Sequence, residues 1–391
     1  MESQSDYSTR GCLLGKTVSP RLQQLEDDFM DNGGCFKEFR IGDLFDIHSS
    51  MKKFNANSVK FGGKYPYVAR GSSNNGIKGY ITENPVYLNK GNTISIGQDT
   101  GTVYYQQEPY FTGDKIKIAE LKGHKLTEKI AIYFIVSIRK KFSEFKWGQN
   151  SFNESILLDL PLLLPVNTKF EIDFDYMESY IRELEQERIR ELDAYLKATG
   201  LNDYELTPKE KNSIEIMSKG GVNWKEFKVL DIFTVKNTQS VMKSQVDFCS
   251  GDIPYVTAGE TNNSIASYIS AEPSIIDKGN CIVIGGKSTV VTYQEQDFVS
   301  NDSHNLALYM KETDKKSKYT QMFFVTLLSF KLKQLYNWGN SISNKKIQKD
   351  TIHVPVNQNG DIDYQFIELY SKAVEKLCIK SVVLWLTGKI E

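Results

Sequence analysis

The apolar residues of this chain follow two rhythms, and the change from one to the other happens twice. Between residues 36 and 165 they come in short runs, at 65–68, 86–88, 93–96, 102–105 and 116–118. The runs are rich in aromatic and β-branched side chains and are separated by Gly, Asn and Pro. Such runs predict short strands joined by turns. One stretch, 129–142, breaks the pattern: Ile130, Ile132, Tyr133, Phe134, Val136 and Ile138 predict a partly buried helix. The apolar run 157–164 then leads into Pro165-Val166-Asn167. From 173 to 200 the spacing becomes three and four, through Phe174, Met177, Ile181 and Leu184 and on to Leu192, Tyr195 and Leu196, with Glu, Arg and Lys elsewhere. This is an amphipathic helix. Asp173 and Asp175 suit its start and Gly200 its stop. At 1.5 Å per residue it is roughly 40 Å long.

The second half repeats the plan. Residues 224–355 are again strand-like, 319–330 takes the place of the inserted helix, and Phe366, Tyr370, Ala373, Leu377 and Leu384 form a second helical stripe. Each half also has a short helical lead. Ser19-Pro20 opens one through Leu22, Leu25 and Phe29 to Gly33-Gly34, and Thr207-Pro208 opens the other, which ends at Gly220-Gly221. Short motifs keep register 188 positions apart: Phe36-Lys37-Glu38-Phe39 with Trp224-Lys225-Glu226-Phe227, Pro66-Tyr67-Val68 with Pro254-Tyr255-Val256, Asn74-Asn75 with Asn262-Asn263, Gly91-Asn92 with Gly279-Asn280, and Tyr105-Gln106 with Tyr293-Gln294. A period of domain size means a tandem duplication and not a solenoid.

The expected fold is α+β. It has an N-terminal tail and short helix (1–35), a β-rich domain (36–168), a long spacer helix (169–204), a linker helix (205–223), a second β-rich domain (224–358) and a C-terminal spacer helix (359–391). Two similar amphipathic helices in one chain invite antiparallel pairing as a coiled coil, which relates the two domains by a pseudo-twofold axis.

Composition narrows the function. At 391 residues with 40% apolar and 25% charged residues, the chain is an ordinary globular one. A net charge of −1 argues against a wholesale polyanion binder and leaves room for a local basic stripe. Cys12, Cys35, Cys249, Cys281 and Cys378 are scattered without a C-x-x-C pair, which suggests reduced thiols. No apolar run reaches the roughly 18 residues of a membrane span. The N-terminus is polar and lacks a signal-peptide core. The expectation is a soluble cytoplasmic protein with no membrane partner.

Catalytic chemistry is hard to find. Gly286-Lys287-Ser288 resembles the end of a phosphate loop, but Cys281 stands where that loop needs Gly. Asp114, Glu120 and Lys122 have the acid-acid-lysine spacing of some metal-dependent nucleases. In the second half, Asp302 is followed by Leu308-Tyr309-Met310. His48, His124, His304 and His353 are isolated, so no metal site is expected. There is no Rossmann fingerprint and no adjacent proline pair of the kind amino-methyltransferases carry. No catalytic residue and no cofactor of its own are assigned.

Polar loops remain. One contains Arg70, Ser72, Ser73, Asn74, Asn75 and Lys78, and another contains Lys146, Gln149, Asn150 and Asn153 beside Trp147-Gly148. In the second half the candidates are Thr261, Asn262, Asn263 and Lys287. After Trp338-Gly339 come Asn340, Ser341, Ser343, Asn344, Lys345 and Lys346. Asn pairs bidentately with adenine, Arg and Lys with guanine, and Ser or Thr with bases or phosphates. The plainer reading is that Asn and Gly make turns.

The duplicated F/W-K-E-F-x-x-x-D-L/I-F opening (Phe36 to Phe45, Trp224 to Phe233), the Pro-Tyr-Val strand with its Asn-rich loop, and the β-domain followed by a long charged helix resemble the specificity subunits of Type I and Type IIB (BcgI-like) restriction-modification systems. The resemblance covers the chain from about Thr17 to Glu391. It implies two target recognition domains, each reading one half of a split, asymmetric double-stranded DNA site. It also implies a spacer pair that sets the distance between half-sites. Docked methyltransferase subunits, or fused nuclease-methyltransferase subunits, and possibly a translocase/restriction subunit are the implied partners. S-adenosylmethionine and Mg2+ are then expected on those partners. The alternatives are a stand-alone nuclease using Asp114, Glu120 and Lys122, and a protein-protein scaffold.

Overall fold

In the computed structural model, which describes residues 19–143, 154–337 and 339–390, each half of the strand pattern closes on itself. Two compact units result, Val18–Leu192 and Asp193–Glu391. The first opens with α1 (Pro20–Asp31), where Ser19 Oγ accepts the Leu22 amide at 3.3 Å. β1 (Cys35–Arg40), α2 (Ile41–Leu44), β2 (Phe45–Ser49), β3 (Phe61–Val68), β4 (Ile77–Ile81), β5 (Thr93–Gly97) and β6 (Val103–Gln106) follow. Next come β7 (Phe111–Thr112), β8 (Ile116–Leu121), α3 (Glu128–Ser143), α4 (Glu154–Asp159), β9 (Pro161–Val166) and the start of α5 (Phe174–Thr199). The strand expected at 86–88 is a single 3-10 turn, Pro85–Tyr87. Asn84 Oδ1 accepts the Val86 amide at 3.1 Å there, and Pro85 has no N–H to give a ladder.

The Phe36-Lys37-Glu38-Phe39 motif lies in β1, which pairs antiparallel with β9 from Cys35↔Val166 to Arg40↔Pro161. This two-stranded ribbon ties the beginning of the domain to its end. The rest forms a four-stranded sheet, β2-β8-β5-β6, and a three-stranded sheet, β4-β3-β7, in which β3 and β7 run parallel. Helix α3 covers one face of the larger sheet: Phe134 meets Phe45 edge-on at 5.0 Å among Ile94, Ile96, Ile130 and Ile138. The other face meets the smaller sheet through Val68, Tyr110, Ile118 and Ile77. β5 alternates Ile with Thr93 and Ser95, which suggests a solvent-facing side, yet every residue in it is buried. The polar face is internal and satisfied. Thr93 Oγ1 and the Tyr110 hydroxyl share a 3.0 Å hydrogen bond, and Ser95 Oγ accepts from Gln106 Nε2 at 3.0 Å.

The unit Asp193–Glu391 repeats this arrangement with α6 (Pro208–Ser218), β10 (Trp224–Lys228), α7 (Val229–Ile232), β11 (Phe233–Asn237), β12 (Ile253–Val256), β13 (Ile265–Ile269) and β14 (Cys281–Ile284). β15 (Val291–Gln294), β16 (Val299–Ser300), β17 (Leu306–Met310), α8 (Lys318–Leu335), α9 (Asn344–Ile347), β18 (Thr351–Pro355) and α10 (Tyr364–Ile390) complete it. The sheets are β10-β18, β11-β17-β14-β15 and β13-β12-β16. Phe233 and Phe324 repeat the edge-on pair at 5.2 Å. The space between the sheets is drier here: Cys281 and Val283 replace Thr93 and Ser95 and pack on Val256, Phe298 and Ala307. Burial pushes the Cys281 thiol up to about 12. Cys35, Cys281 and Cys378 are free thiols, in keeping with the expectation for those three. Lys376 of α10 meets Asp203 at 2.8 Å and Glu210 of α6 at 3.3 Å, fastening the linker helix to the last helix.

The motifs that keep register in sequence turn out to be fasteners. Asn75 sits at φ 54°, its Nδ2 donates to Tyr105 O at 2.7 Å, and Gln106 Nε2 donates back to Asn75 O at 3.1 Å. The second unit repeats this with Asn263 at φ 50°, its amide to Tyr293 O at 2.8 Å, and Gln294 Nε2 to Asn263 O at 2.9 Å. The reciprocal pair ties the loop after the Pro-Tyr-Val strand to the edge strand of the larger sheet. Asn tolerates the left-handed backbone, and its amide satisfies an edge carbonyl that would otherwise invite another strand. The Tyr105 and Tyr293 hydroxyls donate to Asn92 at 2.6 Å and Asn280 at 3.1 Å. The Tyr67 and Tyr255 hydroxyls each donate to a backbone carbonyl at 2.7 Å, that of Phe54 and that of Val241.

Three outcomes are expected in urea unfolding of the full chain. Asn75→Gly keeps the backbone conformation and loses the amide, and should cost about 1–2 kcal/mol. Asn75→Ala should cost about 1 kcal/mol more, because Ala resists positive φ. Phe324→Ala should cost about 3–5 kcal/mol, the usual range for an aromatic removed from a closed core.

Candidate nucleic-acid interface

At one end of the unit Val18–Leu192 three connections converge: the loop after β3, the β5–β6 hairpin and the turn before β8. Gly97 opens the hairpin. A Cβ there would lie 2.4 Å from Thr102 Oγ1 and 3.5 Å from Arg70 Cγ, so the Arg70 stem rests over the hairpin. The Gln98 amide donates to Lys115 O at 3.0 Å, joining hairpin to turn. Charge follows the same path. Asp99 at the hairpin tip binds Arg70 at 2.6 Å and Lys115 at 2.7 Å through one carboxylate oxygen. Lys53 and Asp114 pair beside them at 3.2 Å, and the Lys53 ammonium holds the Asp114 carboxyl below its ordinary range. Arg70, Asp99 and Lys115 side chains are 39%, 45% and 50% exposed. Exposed pairs of this kind contribute about 0–1 kcal/mol, so fold stability does not explain the arrangement.

The unit Asp193–Glu391 has the same three connections with different chemistry. A Cβ on Gly285 would lie 2.9 Å from Ala258 Cβ, and Ala258 stands where the first unit has Arg70. Lys287 stands at the hairpin tip where the first unit has Asp99. The turn before β17 is one residue longer than its counterpart, since Ile94 pairs with Ala119 but Ile282 with Leu308. His304 therefore takes the place of Lys115. Its Nδ1 lies 2.7 Å from Asp302 Oδ1. Burial alone would raise the Asp302 carboxyl, but the His304 amide and imidazole and the Lys287 charge bring it below its ordinary value. Asn237 links this tip to the polar segment after Trp338. Its Nδ2 donates to Ser303 O at 2.7 Å and its Oδ1 accepts from Asn344 at 3.1 Å.

The sequence-predicted residues divide into two groups. Arg70, Ser72, Ser73 and Lys78 in one unit, and Thr261, Lys287, Asn340, Lys345 and Lys346 in the other, are exposed. Asn74, Asn75, Asn262 and Asn263 use their amide nitrogens inside the loop: Asn74 reaches Ile77 O at 2.9 Å and Asn262 reaches Ile265 O at 2.8 Å, with the other two in the fasteners above. Ser343 caps α9 by accepting the Lys346 amide at 3.3 Å, and Lys346 Nζ holds Asn340 Oδ1 at 2.8 Å and Ser341 O at 2.7 Å. Lys146, Gln149, Asn150 and Asn153 lie outside the described residues. Asp99, Lys115, Asp302, His304 and Asn237 were missed as site residues. Comparing Asp99 with Lys287 across the duplication was the signal that could have found them.

The nuclease alternative finds no support in the geometry, and neither does a phosphate loop. Asp114 precedes β8, while Glu120 and Lys122 lie at its far end, roughly 20 Å away at 3.3 Å per residue. Glu120 is held by Lys90 at 2.8 Å with His48 at 3.0 Å, and Lys90 keeps its carboxyl low. Lys122 Nζ donates to Gly42 O at 2.8 Å, and Lys311 donates to Leu230 O at 2.5 Å in the other unit. The lysine thus has the same structural place in both. Gly286-Lys287-Ser288 turns into β15 and not into a helix, so it lacks the amide-lined helix start a phosphate loop needs. Among the described residues, no group of three or more His, Cys, Asp or Glu is placed to hold a metal ion, and no helix is long and apolar enough to cross a membrane.

Comparison with known proteins agrees with the duplicated architecture. The chain is 25% identical over 349 residues to the "Type II restriction enzyme BgcI specificity subunit S.BcgI" of Heyndrickxia coagulans, covering 88% of this chain and 96% of that protein. Its fold is similar to the crystal structure of a Type-I restriction-modification system S subunit from M. genitalium, with a TM-score of 0.57, 16% identity and 92% of each chain covered. The profile of the Type I restriction modification DNA specificity domain matches twice, over residues 35–194 and 221–383. With both repeats matched, the chain belongs to the family of Type I restriction modification DNA specificity domains, which it carries in tandem.

Proposed function

We propose that the chain is the non-catalytic specificity subunit of a restriction-modification complex, with 36–168 and 224–358 as target recognition domains. Each domain reads one half of a bipartite, asymmetric double-stranded DNA site. The observation that carries this reading is the contrast between scaffold and tip. The fasteners repeat residue for residue, while Arg70, Asp99 and Lys115 give way to Ala258, Lys287 and His304. A duplicated fold with unlike tips suits a site with unlike halves.

The spacers 169–204 and 359–391 extend the proposal. Helices α5 and α10 have 26 and 27 residues, roughly 40 Å each at 1.5 Å per residue. Paired antiparallel as a coiled coil, they separate two readers by about one DNA turn, roughly 34 Å. Tyr195, Leu377, Leu384 and Trp385 leave apolar surface exposed on these helices, of the kind subunit contacts cover. The occupants are methyltransferase or fused nuclease-methyltransferase subunits in the cytoplasm, which carry S-adenosylmethionine and Mg2+. A translocase/restriction subunit completes a Type I assembly.

Selection from random DNA duplexes, with the chain bound to its methyltransferase partner, tests the reading. Two short fixed blocks separated by a constant unselected gap are expected. No enriched sequence in any combination would overturn it and favour a protein-protein scaffold. A second prediction follows from the proposed antiparallel pairing of the spacers. A chain in which residues 36–165 are replaced by 224–355 should select an inverted repeat of one block. Selection of the original asymmetric site by that chain would contradict the assignment of one block to each domain.

A further inference from the structure

The hairpin tips carry opposite charge on the same scaffold. In the first unit the central group is a carboxylate, Asp99, flanked by Arg70 and Lys115. In the second it is an ammonium, Lys287, beside Asp302 and His304, with Ala258 in place of the arginine. The central charge is reversed and its neighbours change with it: the carboxylate sits at the hairpin in one unit and in the adjacent turn in the other.

Asp99 also has a definite geometric relation to Arg70. Its carboxylate accepts from Nη1 of the guanidinium at 2.6 Å. The Arg70 stem is laid against the hairpin at Gly97. Lys115 occupies the same carboxylate oxygen at 2.7 Å. A long, flexible side chain is thereby held in one direction while staying 39% exposed. Guanine presents two acceptors in the major groove, and an oriented guanidinium fork matches them bidentately. A reading side chain needs such support, because an arginine free to swing discriminates poorly.

We propose that Asp99 is a positioning residue for base readout: it orients Arg70 toward a guanine in the half-site read by the first domain, while Lys287 takes the equivalent place in the second domain and reads its half-site without an arginine. This rests on the specificity reading above and goes further by naming the base, the reader and the residue that aims it. Lys115 neutralises the carboxylate charge left over, so that Asp99 does not repel the neighbouring phosphates.

The test uses the full chain with its methyltransferase partner and a library of random DNA duplexes. Asp99→Asn should lower the enrichment of guanine at one or two positions of one half-site by roughly tenfold, the lower end of what a bidentate pair discriminates. The other half-site should be unchanged. Arg70→Ala should lose the same positions, and the double variant should be no worse than Arg70→Ala, because Asp99 acts through Arg70. Lys287→Ala should alter only the other half-site. Urea midpoints of the variants should match the parent, since the pair is exposed. If Asp99→Asn leaves the pattern intact, or weakens every sequence equally, the positioning role is wrong and the specificity reading stands. If the parent chain enriches no sequence, both fall.

Discussion

The loop that each domain offers at its tip depends on one reciprocal pair of hydrogen bonds. An asparagine amide reaches into the edge strand and a buried glutamine amide reaches back, Asn75 with Tyr105 and Gln106, Asn263 with Tyr293 and Gln294. Gln106 and Gln294 are almost wholly buried. Leaving such a group unpaired costs about 1–3 kcal/mol, so loop and sheet hold each other in place. The asparagine also supplies the left-handed backbone that the loop needs to turn, and a glycine there would turn without fastening.

That constraint separates what can vary from what cannot. Residues fastened to the sheet recur in both units, while Arg70 and Asp99, five and seven positions from Asn75 and Gln106, give way to Ala258 and Lys287. The buried face between the two sheets shows the same freedom under a stricter rule. Thr93 and Ser95 need Tyr110 and Gln106 to satisfy their hydroxyls, whereas Cys281 and Val283 need only apolar neighbours. Both solutions leave β5 and β14 buried on two faces, and in both units the aromatic pair on the helix side stays the same. The scaffold accepts either chemistry inside and presents unlike chemistry outside.

The assignment of lysine illustrates why spacing misleads. Asp114, Glu120 and Lys122 look like one catalytic group along the chain, but a strand carries its ends far apart, and each of the three is spent on a local contact. Lys122 and Lys311 fill the same position against the carbonyls of Gly42 and Leu230. Their equivalence is hidden in sequence by the longer turn before β17.

The sequence by itself determined the duplication, the caps at Ser19 and Thr207, the inserted helices and the two long amphipathic helices, because periodicity and capping are local signals. It also pointed to the loops around residues 70–78 and 340–346. It misread 86–88 as a strand, since a Pro-led apolar triplet has the same composition in a turn. What only the tertiary structure decided was which asparagines are fasteners, and that Arg70, Asp99 and Lys115 share one carboxylate across about 45 residues of chain. The reason is physical: side-chain partners across a sheet are chosen by strand register and by a single extra residue in a turn. Neither leaves a mark in the pattern of apolar and polar positions.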